Sequence, residues 1–186
     1  MDIGRAILTM IDALEQERIP YMLAGSFSTS FYAAPHATLD EDFVIEPGDR
    51  TLSDLRQRLE STFRSGPQVT FERITGNLRT LVYVGGADLK IELFRLSNDP
   101  HDQERFHRRV TASFLDHQIT IPTAEDVIIT KLIWAKHAGR GKDRDDVRDV
   151  VAVQGDNLDW TYIHGWTEQH GTTALLGEIR RSIPPI

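Results

Sequence analysis

The chain has 186 residues, of which 40% are hydrophobic and 26% are charged, and its formal net charge at pH 7 is -7. The acidic balance argues against a broad nucleic-acid-binding surface, because phosphate backbones favour an excess of lysine and arginine. The absence of cysteine excludes disulfides, thiolate metal sites and cysteine nucleophiles, and it fits a reducing compartment.

The length of the chain is enough for one solid hydrophobic core and a small helical appendage. Charged residues are scattered through the N-terminal segment, and no apolar run is long enough to cross a bilayer. We therefore expect a cytoplasmic protein without membrane contact. Apolar residues at intervals of three and four predict an amphipathic helix over residues 2–18, which Pro20 ends.

The next stretch, residues 21–46, predicts a strand, a tight turn, a short helix and a second strand. The turn falls at Gly25 and Ser26, and the short helix is expected over residues 28–32. Backbone N–H groups and a hydroxyl at a turn that enters a helix are suited to binding a phosphate. This turn is therefore a candidate phosphate-binding site.

Two acidic residues, Asp40 and Asp42, lie where the second strand of this stretch begins. A strand has a side-chain period of two, so both carboxylates should project from the same face. Like charges held this close repel one another unless a cation lies between them. A divalent ion that prefers hard oxygen ligands, Mg²⁺ or Mn²⁺, suits such a pair. The alternative is an ordinary solvated strand end.

The following segment predicts a third helix and then three strands. Thr51 begins the helix with a capping box, and its buried face should comprise Leu52, Leu55, Leu59 and Phe63, with Gly66-Pro67 ending it. Strand-like runs then cover residues 69–75, 78–84 and 89–96, which we interpret as an antiparallel meander.

The last of these runs carries a further candidate acid. Asp88, Lys90 and Glu92 share one face of the strand. If this strand pairs with the Asp40 strand, Glu92 or Asp88 comes to lie beside the first two carboxylates. The alternative for Glu92 is an exposed strand residue that pairs with Lys90 or with an arginine across the sheet.

The C-terminal part predicts mostly helix. A helix over residues 100–109 and a hairpin over 111–121 are followed by a capping box at Thr123 that begins a long helix. Lys131 lies on the apolar face of that helix, where it either reaches solvent or contacts a phosphate across a cleft. A charged segment at 142–146, a further helix and two closing helices complete the chain.

The combination of Gly25, Ser26, Thr38, Asp40 and Asp42 resembles the nucleotidyltransferase superfamily related to DNA polymerase beta. It is most similar to small bacterial nucleotidyltransferase-like proteins akin to abortive-infection and toxin-antitoxin nucleotidyltransferases. The resemblance implies an α+β fold in which a mixed β-sheet is flanked by helices. It further implies a nucleotidyltransferase-like core over residues 1–121 and a C-terminal helical region over residues 122–186.

The same resemblance implies the chemistry of the site. Asp40, Asp42 and Glu92 would bind Mg²⁺ or Mn²⁺, although this family more often has aspartate at the third position. Gly25, Ser26 and Thr38 would bind the phosphates of an NTP substrate, and Lys131 would stabilise their charge. Asp146 and Asp149, three residues apart on one helix, would form part of the site or support it.

The resemblance leaves the acceptor open among a tRNA 3′ end, another RNA, a protein hydroxyl and a small molecule such as an antibiotic. A toxin-antitoxin role would add an antitoxin partner. Two alternatives to an active enzyme remain: a catalytically degenerate protein that binds nucleotide, and a module that binds a protein partner. Metal-dependent phosphohydrolase chemistry is disfavoured because the seven histidines lack the spacing of metal ligands.

Overall fold

The computed structural model describes residues 2–34, 40–59, 61–71, 78–85 and 89–184. In these ranges the helices are α1 (Ile3–Gln16), α2 (Gly25–Thr29), α3 (Leu52–Arg58), α4 (Pro100–His107), α5 (Ala124–Ala138), α6 (Gly141–Gln154), α7 (Trp160–His170) and α8 (Thr173–Arg181). The strands are β1 (Tyr21–Ala24), β2 (Asp40–Ile45), β3 (Phe63–Phe71), β4 (Leu78–Val84), β5 (Leu89–Arg95), β6 (Val110–Phe114) and β7 (His117–Ile121). None of the helices in these ranges combines the length and the apolar character needed to span a bilayer.

The central sheet has five strands in the order β1-β2-β5-β4-β3, and β6 and β7 form a separate hairpin. Strands β2 and β5 are parallel, whereas the other neighbours in the sheet are antiparallel. The parallel pair places two strands that are distant in sequence side by side at the centre of the sheet. The predicted α+β fold, a mixed sheet flanked by helices, is confirmed.

The two faces of the sheet differ in chemistry because side chains alternate along each strand. Phe43 and Ile91 lie on the face that forms the main core, in a cluster with Met10 and Leu14 of α1. The opposite face carries a smaller apolar cluster in which Val44 packs with other buried side chains, Met22, Ala24 and Phe106. This second face also carries Asp40 and Asp42, so the candidate site lies on the side away from α1.

The last four helices share a second core, formed by apolar residues between Ala124 and Ile179. Tyr32 connects this core to the sheet, since its hydroxyl donates to the carbonyl oxygen of Pro122 at 2.7 Å. Gln154 in turn donates to the carbonyl oxygen of Tyr32 at 2.9 Å. These contacts attach the helices to the segment that leads from the phosphate-type turn to β2.

Three predicted boundaries were wrong. The second helix begins at Gly25 instead of residue 28, and Phe63 belongs to β3 instead of the third helix. The Gly66-Pro67 pair was expected to end a helix but lies inside β3. Pairing of Phe63 with Val84 extends the strand, and a register shift between Ser65 and Val69 accommodates the glycine and the proline. Tertiary pairing therefore outweighed the local signals.

Glu41 is a buried acid on the core face of β2. Its side chain is fully buried, and neither carboxyl oxygen is hydrogen-bonded to a described residue. Burial, followed by the charges of Asp42 and Asp40, raises the pKa of Glu41 to about 8. The folded protein therefore binds this proton more tightly than the unfolded chain does.

We expect Glu41 to make the metal-free protein less stable as pH rises from the ordinary glutamate pKa towards about 8. Glu41→Gln should flatten this dependence, with the largest gain in stability at alkaline pH. Urea unfolding in EDTA at about pH 5 and about pH 9 measures how the free energy of unfolding changes with pH. The matched control is Glu46→Gln at an exposed glutamate that directly follows the same strand. The prediction would be contradicted if the free energy of unfolding changed equally with pH in Glu41→Gln and Glu46→Gln.

Candidate active site

A cleft of about 560 Å³ is lined on one side by the sheet and on the other by residues of α4, α5 and α6. Gly25, Ser26, Asp40, Asp42, Glu92 and Lys131 all line it. The structure thus brings six of the seven predicted site residues to one cavity. The seventh, Thr38, lies outside the described residues, as does Asp88.

Gly25 and Asp42 are in direct contact. Gly25 is the first residue after β1 and has a φ of +66°, a conformation that glycine adopts without steric cost. A Cβ atom at this position would collide with the carboxylate of Asp42. Ala24 is the partner of Asp42 in the β1–β2 register, which fixes the turn beside the acid. Glycine is therefore required here for both backbone conformation and space.

Substituting Gly25 tests that contact. Gly25→Ala should lose about 1–2 kcal/mol for the left-handed backbone alone, and further stability because Asp42 must move. Gly139→Ala is the matched control, since Gly139 has a φ of +64° and open space around its Cα. We expect Gly25→Ala to lower the urea midpoint of unfolding further than Gly139→Ala does. Equal behaviour of the two variants would show that the contact with Asp42 is unimportant.

The parallel register between β2 and β5 places the acids in cross-strand positions. Asp42 is opposite Glu92, and Asp40 is opposite Lys90, so all four side chains project from the same face. Burial, followed by the charge of Glu92, raises the pKa of Asp42 to about 7, against the opposing influence of Lys131 and Lys90. The electrostatic environment of Asp42 therefore favours the arrival of positive charge.

Glu92 is held by two cations. Its side chain is almost fully buried, and its Oε2 accepts from Nη1 of Arg79 at 2.7 Å. Its Oε1 lies 2.7 Å from Nζ of Lys90, which is also 3.3 Å from Oδ2 of Asp40. The pairing of Glu92 expected in the alternative interpretation is observed with both Lys90 and an arginine, but the exposed position expected for Glu92 was wrong. Among the described residues, no three acidic or histidine side chains converge closely enough to form a ready metal cluster.

Lys131 does not extend into solvent. It is only 7% exposed, and its Nζ lies 2.6 Å from Oδ2 of Asp146 and 3.1 Å from Oδ1 of Asp143. The ammonium group also opposes the rise in the pKa of Asp42, so its charge acts on that acid across the cleft. Of the two predicted positions for Lys131, the solvent-exposed one was wrong.

The acidic partners of Lys131 begin α6. Asp143 and Asp146 are almost fully buried, and Asp143 also accepts from Nε of Arg140 at 2.8 Å. Asp149 is more exposed and pairs with Arg148. The sequence interpretation selected Asp146 with Asp149 and missed Asp143. The signal was available, because Asp143 and Asp146 are also three residues apart on one helix.

A second buried polar network lines the same cleft, and the sequence interpretation did not identify it. His101 and Asp126 are both buried, and their side chains are 3.3 Å apart. Asp126 also accepts from the hydroxyls of Tyr162 and Thr123, each at 2.8 Å. Although burial opposes it, these hydrogen bonds hold the pKa of Asp126 below its ordinary value. The network joins α4, α5 and α7 through residues that are far apart in sequence.

No family model and no curated protein matches the chain. Solved structures do match. The antibiotic-resistance factor ANT(2'')-Ia aligns with a TM-score of 0.64 and 12% identity over 94% of both chains. A nucleotidyltransferase-like protein from Paracoccidioides brasiliensis gives a TM-score of 0.58 and 16% identity over 97% of this chain and 93% of that one.

A third match is the lincosamide antibiotic adenylyltransferase LnuA. It gives a TM-score of 0.50 and 11% identity over 80% of this chain and 96% of that one. At such identities the matches show the fold alone. The chain therefore has the nucleotidyltransferase fold, as the arrangement of Gly25, Ser26, Asp40 and Asp42 in the sequence suggested.

Proposed function

We propose that the protein is a metal-dependent nucleotidyltransferase that moves a nucleoside monophosphate from an NTP to an acceptor hydroxyl. One observation carries the proposal. Asp42 contacts the Gly25 turn on one side and lies opposite Glu92 on the other, in a cleft of a nucleotidyltransferase fold. A phosphate-type turn and two facing carboxylates suit phosphoryl chemistry, which depends more on positioned charge than on a protein nucleophile.

The residues present fit a divalent cation by the chemistry of their oxygen donors, although their side chains would have to move closer together to bind it. Asp40, Asp42 and Glu92 offer hard carboxylate oxygens on one face of two adjacent strands, and burial, followed by the charge of Glu92, raises the pKa of Asp42. We assign the metal to these three residues. When bound, Mg²⁺ or Mn²⁺ would neutralise charge that develops on the reacting phosphate oxygens.

The phosphates of the NTP would be bound from both sides of the cleft. Gly25 allows close approach of the backbone, and Ser26 adds a hydroxyl beside it. Lys131 faces the acids from α5, and its charge would stabilise the phosphates. Asp143 and Asp146 hold its ammonium group in position. Thr38 is the remaining residue that the sequence predicts to bind the phosphates.

A small-molecule acceptor is the class that we favour. The cleft has a volume typical of sites for small ligands. Two of the matched structures were solved with small molecules, ANT(2'')-Ia with adenylyl-2''-tobramycin and LnuA with lincomycin. The alternative acceptors from the sequence are an RNA and a protein. A toxin-antitoxin role, with an antitoxin partner in the cytoplasm, is a further expectation from the sequence.

Labelled nucleotides test the proposal. The purified protein is incubated with each α-labelled NTP, Mg²⁺ or Mn²⁺ and a cell extract, and the small-molecule, RNA and protein fractions are then separated. We expect pyrophosphate release and label in one fraction, the small-molecule one. If calorimetry shows that an NTP binds, but no pyrophosphate is released and no fraction is labelled, the proposed enzymatic activity is overturned. That result would favour the catalytically degenerate alternative.

A further inference from the structure

Lys90 occupies the space between the acids of two strands. Its Nζ is 2.7 Å from Oε1 of Glu92 and 3.3 Å from Oδ2 of Asp40. An ammonium group at these distances neutralises the pair directly. Lys90 therefore holds the position between two carboxylates that a bridging cation would also need.

The neighbouring cation, Arg79, has a different role. It binds the far oxygen of Glu92, Oε2, at 2.7 Å, so it anchors Glu92 from the side of β4. With Arg79 on one oxygen and Lys90 on the other, both carboxylate oxygens of Glu92 have a cationic partner. Glu92 gains a free oxygen for a metal only when one of these partners leaves.

Lys90 is the partner that can leave more easily. Both side chains are 29% exposed, but the flexible four-carbon stem of a lysine allows its ammonium to move into water at little cost. The guanidinium of Arg79 is held additionally by the hydroxyl of Thr70, at 3.3 Å from its Nε. Departure of Lys90 would remove a cation from both Asp40 and Glu92 at once.

We propose that Lys90 is a built-in competitor for the divalent cation: it bridges Asp40 and Glu92 in the metal-free protein and is displaced when the metal binds. This inference rests on the proposed function, because it takes the metal to bind at these acids. Beyond the proposed function, the inference is that a lysine which is not a metal ligand sets the affinity for the metal. A divalent cation without NTP binds weakly because it must displace the ion pairs that Lys90 makes.

Direct metal binding tests the proposal without any assay of activity. The dissociation constant for Mn²⁺ alone is measured by calorimetry and by electron paramagnetic resonance for the wild type, Lys90→Met, Lys90→Arg and Lys136→Met. We expect Lys90→Met to bind Mn²⁺ roughly tenfold more tightly, because a repelling and competing charge is removed. Lys90→Arg keeps that charge and should stay near the wild-type value.

Lys136→Met is the matched control, since Lys136 is exposed and donates to the backbone of His170 and not to a carboxylate. It should leave Mn²⁺ affinity unchanged. Unchanged or weaker binding in Lys90→Met would overturn the proposal and would make Lys90 a residue that holds the acids in place. Absence of saturable Mn²⁺ binding in every variant would instead refute the metal site, and with it the proposed function.

Discussion

Asp42→Asn should reduce metal-dependent NTP turnover by more than about a hundredfold, because in the proposed function Asp42 binds the metal, whose charge stabilises the transferred group by several kcal/mol. Asp42 is the acid that contacts the Gly25 turn and faces Glu92. The measurement is pyrophosphate release with the best NTP in Mg²⁺ or Mn²⁺.

The same variant should remain folded. Burial and the charge of Glu92 raise the pKa of Asp42 to about 7, so the ionised acid destabilises the metal-free protein at neutral pH. We therefore expect Asp42→Asn to unfold at the same or a higher urea concentration in EDTA. Asp145→Asn is the control, because that acid is exposed and pairs with Arg148. Turnover by Asp42→Asn equal to that of the control would remove Asp42 from the mechanism.

Lys131→Met should cost about 3–5 kcal/mol of unfolding free energy, which is the range for removing one partner of a buried ion pair. The substitution leaves Asp143 and Asp146 buried without the ammonium group that lies between them. Urea unfolding measures the loss. Combining Lys131→Met with Asp143→Asn and Asp146→Asn should recover most of it, since the uncompensated charges are then removed as well.

Lys136→Met on the same helix provides the control for lysine removal, because Lys136 is exposed. A loss in Lys131→Met no larger than in this control would show that the buried pairs contribute little. Turnover is compared at a temperature where Lys131→Met is fully folded. We expect a marked decrease there, and wild-type turnover would remove the phosphate-binding role while leaving the structural one.

Local patterns in the sequence identified most elements correctly. Short strand-like runs predicted β2, β4 and β5, and the capping residues Thr51 and Thr123 marked the starts of α3 and α5. Strand β3 was misjudged because its boundaries depend on pairing with β4, which local propensity does not encode. The metal and phosphate roles of Asp40, Asp42, Glu92, Gly25 and Ser26 stay predictions that the experiments above address.

By itself, the sequence determined that Asp40 and Asp42 share a face, because the period of a strand is local and fixed. It also determined that a glycine turn precedes them. Only the tertiary structure decided which charges surround these acids. Arg79, Lys90, Glu92 and Lys131 come from three different elements, and their convergence depends on sheet register and helix packing. Electrostatic energy depends on distance in space, so ion pairs between distant segments become definite only after the chain has folded.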